Sequence, residues 1–99
     1  MATAVIYRTY PNDGETIALF PEIPSSCSNP HLISCYAHLG QHGQADYGLV
    51  IEHTRPATGE EAEPLHRELE RIGYEDLRPV QRRSPQIRER ALEDWRRAC

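Results

Sequence analysis

Between residues 3 and 20 the chain reads as two short strand-like runs around one dense turn, and this constrains the fold more than any other feature of the sequence. Residues 3–10 (TAVIYRTY) and 15–20 (ETIALF) carry β-branched and aromatic side chains, which suit a pleated, half-buried surface. Pro11-Asn12-Asp13-Gly14 stands between them. Proline presets φ, Asn and Asp bond to nearby backbone, and glycine takes positive φ at little cost. The spacing predicts a β-hairpin over 3–20.

Residues 21–31 (PEIPSSCSNPH) hold three prolines and three serines. Prolines remove ladder donors, so this stretch is expected to be an irregular loop. A third strand is expected at 32–38 (LISCYAH), a polar, glycine-punctuated loop from Gly40 to Asp46, and a fourth strand at 47–54 (YGLVIEHT), ended by Arg55-Pro56. The second half changes period. Thr58 followed by Glu61 makes a capping box. Ala62, Leu65, Leu69 and Ile72 then fall at helical spacing, and Gly73 suits the position just past the helix. Pro64 either opens that helix at its first turn or kinks a longer one. Pro79 restricts 74–81 to an edge strand or an extended connection. Ser84-Pro85 is an N-cap followed by proline at the first helical position, opening a helix over about 85–97 with Ile87, Ala91, Leu92 and Trp95 inward.

The expected order is β-β-β-β-α-(β)-α. Helices with one apolar stripe need a surface to cover, and a mostly antiparallel sheet supplies it. The expectation is a single domain over 1–99. Its class is α+β, two-layer, with a sheet of four or five strands covered by two C-terminal helices.

At 99 residues, with 38% hydrophobic and 26% charged residues, the chain is too short for a multidomain enzyme and not disordered in composition. No apolar run approaches the ~20 residues of a membrane span, and MATAVIYRTY lacks the pattern of a signal peptide. A bacterial, cytoplasmic protein is expected. Cys27, Cys35 and Cys99 are an odd set at unrelated spacings, read as free thiols in a reducing compartment. All 11 basic residues are arginine, which points to the coding bias of a G+C-rich genome. The net charge of −4 divides into −3 over 1–49, −5 over 50–77 and +4 over 78–99.

Candidate chemistry lies first at His38, His42 and Asp46, spaced four apart, with His53 beyond them. Two histidines and a carboxylate are the ligand set of many non-haem metal sites, although the spacing matches no specific zinc signature and the loop equally reads as a glycine-shaped turn. Cys27, His31, Cys35 and His38 form a second set, but strand alternation would send Cys35 and His38 to opposite faces. Gln41 and Gln44 of the loop, with Arg82 and Arg83 of the basic end, are candidate binding residues. The seven arginines from Arg78 onward could contact phosphates. The acidic whole and the scarcity of aromatic residues beside them favour instead a solvated helix face with pairs such as Glu93 and Arg97.

At His38-Leu39-Gly40-Gln41-His42-Gly43-Gln44-Ala45-Asp46 the chain resembles a family of small bacterial, plasmid and phage proteins with a Gly-Gln-His-Gly-x-Ala-Asp loop and no known activity. Ile17–Ile23 and Glu68–Tyr74 match as well, so the likeness spans most of residues 3–80. It implies a compact fold with a shared loop and no particular reaction.

The leading expectation is a small non-enzymatic binding or protein-interaction module. It would act on an unknown protein partner or on a second copy, with no cofactor and no membrane. Two alternatives stand beside it: a metal- or histidine-dependent enzyme centred on 38–46 and using a divalent metal, and a weak nucleic-acid binder acting through the C-terminal arginines.

Overall fold

The computed structural model describes residues 3–12, 14–24, 32–37, 42–81 and 84–98. The hairpin forms as expected from β1 (Thr3–Thr9) and β2 (Thr16–Pro24). Its turn is closed by Tyr10 N–H donating to the Glu15 carbonyl and Gly14 N–H donating to the Tyr10 carbonyl, each at 2.8 Å, with Gly14 at φ +73°. β2 runs on through Pro21 to Pro24, so part of the expected loop is strand. The prolines leave their mark in the ladder. Pairing with β3 (Leu32–Tyr36) slips between Phe20 and Pro24. On the other side, Ala4 N–H, which the β1–β2 register sets toward Pro21, donates to Glu22 Oε1 at 2.8 Å.

Two neighbouring expectations exchange places. Much of the expected loop is β4 (His42–Asp46), paired antiparallel to β3 from Tyr36 against His42 to Leu32 against Asp46. The expected strand that follows is α1 (Tyr47–His53). Local propensity favours a strand there, but three features select the helix. Asp46 Oδ1 accepts from Leu49 N–H at 3.2 Å as the N-cap. Tyr47, Val50 and Ile51, at i, i+3 and i+4, pack one face into the core. At the far end Arg8 serves the exposed carbonyls: Nη2 donates to Thr54 O at 2.7 Å and to Ile51 O at 3.2 Å, while Nε donates to Thr54 Oγ1 at 2.9 Å.

The free edge of β1 is closed in two pieces. β5 (Arg55–Pro56) lies antiparallel against Arg8 and Thr9, and β6 (Leu77–Pro79) runs parallel to Thr3–Val5. The strand order is β4-β3-β2-β1-β5, with β6 also on β1. Each short strand ends in a proline, as edge strands tolerate.

α2 (Gly59–Arg71) has both halves of the expected capping box: Thr58 Oγ1 accepts from Glu61 N–H at 3.2 Å, and Glu61 Oε1 accepts from Thr58 N–H at 2.9 Å. Pro64 falls inside this helix, one turn after its start, where it forfeits one ladder bond. The helix stops in a Schellman arrangement. Gly73 (φ +117°) N–H donates to Glu70 O at 3.2 Å, and Tyr74 N–H donates to Leu69 O at 3.0 Å. α3 (Pro85–Ala98) begins as expected on Ser84, whose Oγ accepts from Ile87 N–H at 3.2 Å.

The α+β class holds, with the helices divided between the two faces of the sheet. Alternation along β1 and β2 sends Val5, Ala18 and Phe20 toward Leu65 and Leu69 of α2. It sends Ile6, Ile17 and Leu19 toward Val50 of α1. α3 packs along β2 with Ile87 and Ala91 buried.

Candidate functional site

A concavity with mainly apolar walls lies where α2 crosses the closed edge of β1. Leu65 and Leu69 seat the helix on the sheet, which brings Ala62, Glu63 and His66 along its flank above the junction of β5 and β6. The result is a groove of ≈ 450 Å³. Tyr7 and His66 supply its aromatic polar floor, and Pro56, Ala57, Ala62, Pro79 and Val80 supply apolar walls. The end near α2 is braced by a two-pronged pair: Arg55 Nη1 and Nη2 donate to Glu61 Oε1 and Oε2 at 2.7 and 2.6 Å. That pair holds the Glu61 carboxyl down at about 2. The same carboxylate closes the capping box, so one side chain ties β5 to the start of α2.

On the floor, the Tyr7 hydroxyl lies 2.6 Å from His66 Nδ1, and the rings meet edge to face with centroids 5.8 Å apart. His66 Nε2 lies 3.7 Å from Glu70 Oε2, one turn further along α2. A carboxylate beside Nε2 favours the tautomer with its proton there, which leaves Nδ1 to accept from the Tyr7 hydroxyl. Burial pushes the Tyr7 hydroxyl well above its ordinary range, and the charge of Glu70 adds to this. Tyr7 is therefore a persistent hydrogen-bonding group and not a ready nucleophile.

The sequence candidates fall elsewhere. His42 and Asp46 stand at opposite ends of β4, with Cα atoms about 13 Å apart at the usual strand rise. Asp46 is engaged as the cap of α1, and His53 is exposed at that helix's other end. Gln44 is exposed on β4 opposite Ser34. His38, Gln41, Arg82 and Arg83 lie outside the described residues, as do Cys27, His31 and Cys99. Among the described residues no group of three or more His, Cys, Asp or Glu side chains could hold a metal ion. The Cys35 thiol is pushed up by burial, an effect partly offset by a hydrogen bond from the Gly43 backbone. On α3, Arg97 approaches Asp94 at 4.0 Å, and Arg90 reaches Glu22 of β2 at 3.4 Å.

Sequence reasoning missed both floor residues. Tyr7 carries no signal beyond its place in the strand-like run 3–10. His66 carried a weak signal, because it falls four residues after Ala62 on the flank of the apolar stripe. Comparison with protein-family models, with curated proteins and with solved structures gives no match. Geometry therefore carries the functional reading.

Proposed function

We propose that the protein is a small non-enzymatic binding module, and that it recognises its partner in the groove between α2 and the β5–β6 edge. The observation that carries this reading is the groove floor: a tyrosine held protonated and bonded to a histidine, framed by apolar walls. Apolar walls with a few placed polar groups are the usual make-up of a recognition site. A reaction centre would need a depressed nucleophile or a base aimed at open space, and here the Tyr7 hydroxyl and His66 Nδ1 engage each other. The expected partner is a group on another molecule, most simply a protein, met in the cytoplasm of a bacterial cell.

The test is a fragment screen by two-dimensional NMR on the whole chain, beside a screen for turnover. Hits are expected to move the amides of Ala57, Ala62 and Val80, and to lose this effect when Ala62→Phe fills the groove. A turnover abolished by His66→Asn would overturn the reading in favour of an enzyme. Binding that ignores Ala62→Phe would remove the groove from it.

A further inference from the structure

We propose that the groove selects an organic cation, a primary ammonium group on an alkyl stem. The inference rests on the groove being the binding site and adds the chemistry it recognises. It begins from hydrogen-bond ownership. With the His66 proton on Nε2 beside Glu70 Oε2, the one Tyr7 hydrogen goes to Nδ1, 2.6 Å away, so what Tyr7 offers the groove is a lone pair. Glu63 adds a carboxylate on the α2 wall. Arg67 Nη2 takes its Oε1, which leaves Oε2 to accept. Among the described residues no lysine or arginine lines the groove. The helix beside it carries five glutamates against two arginines, so the local field favours a positive guest. The apolar walls suit the alkyl stem. The chain contains no lysine, and so a copy of itself cannot supply this group from a side chain.

The experiment titrates the whole chain with pentylammonium, pentanol and pentanoate, followed by the amides of Ala57, Ala62 and Val80. At neutral pH pentylammonium is expected to shift them saturably and pentanoate to leave them unmoved. Tyr7→Phe should weaken pentylammonium at least fivefold while changing pentanol little. Pentanol binding with pentylammonium excluded would overturn the cation proposal and leave the groove standing. If no probe reaches these amides, the groove reading fails together with it. A parallel titration with Nα-acetyl-lysine methylamide identifies the source: tighter binding than pentylammonium points to a lysine of a polypeptide, weaker binding to a free amine, and both support the class.

Discussion

Tyr7 and Arg8 are neighbours on β1, and alternation sends them to opposite faces of the sheet. Both are polar, both lean on a helix, and they do different work. Arg8 is nearly sealed, and its three hydrogen bonds end on Ile51 in the last turn of α1 and on its C-cap Thr54. A buried cation is tolerated when fixed dipoles replace water around it, and a helix C-terminus supplies them. Tyr7 is half-buried, bonds one ring nitrogen and lines a groove. Where the fold turns a side chain's hydrogen bonds onto its own backbone, that side chain holds structure together. Where one is left facing a cavity, it can recognise something.

The contrast breaks most visibly at Arg8. Arg8→Met should cost about 3 kcal/mol in urea unfolding, because charged hydrogen bonds are lost and carbonyls of α1 lose their donor. Arg8→Lys should fall between, keeping the charge without the fork. A loss below about 1 kcal/mol for Arg8→Met would place Arg8 beside Tyr7 as a residue the fold can spare. Next in size, Thr58→Ala should cost about 1 kcal/mol by removing the cap of the helix that carries His66. Tyr7→Phe should cost about 1 kcal/mol or less, since a single neutral hydrogen bond is lost, and its effect should show in binding. A Tyr7→Phe loss equal to that of Arg8→Met would erase the distinction. The smallest effect concerns Glu61. Its folded value of about 2 lies below the ordinary 4.5, so its contribution is fully present above about pH 4.5 and is lost as pH falls toward 2. Acid unfolding of Glu61→Gln should therefore be flatter than wild type across that window.

Those features whose partners lie within a few residues were legible in the sequence. The 3–20 hairpin, the Thr58–Glu61 box, the stop at Gly73 and the Ser84-Pro85 start all follow from local backbone chemistry. From His42 to His53 the strand and helix differ from the expectation in part because some deciding contacts are distant. Tyr47–His53 has strand propensity, yet its C-terminal carbonyls are served by Arg8, more than 40 positions earlier. Asp46 looked like a ligand because it shares a four-residue spacing with two histidines, although Asp before a helix is first of all a cap. Tyr7 and His66 are separated by 59 positions. No spacing rule reaches that far, and only the packing of α2 over β1 makes them a pair.

The closure of β1 by β5 and β6 also sets an order of events. In a chain made from its amino end, β1 finds β2 almost at once, but its other edge waits for residues 55–56 and 77–79. Distant pairings of this kind slow folding, because chain entropy is lost before contacts repay it. Through that interval the nascent hairpin shows an open, hydrogen-bond-hungry flank with few guards, since Arg8 is the one charged residue among Thr3–Thr9. Newly made molecules are thus most prone to strand exchange with one another before Leu77–Pro79 arrives, and the last short strand to be made acts as the latch of the first.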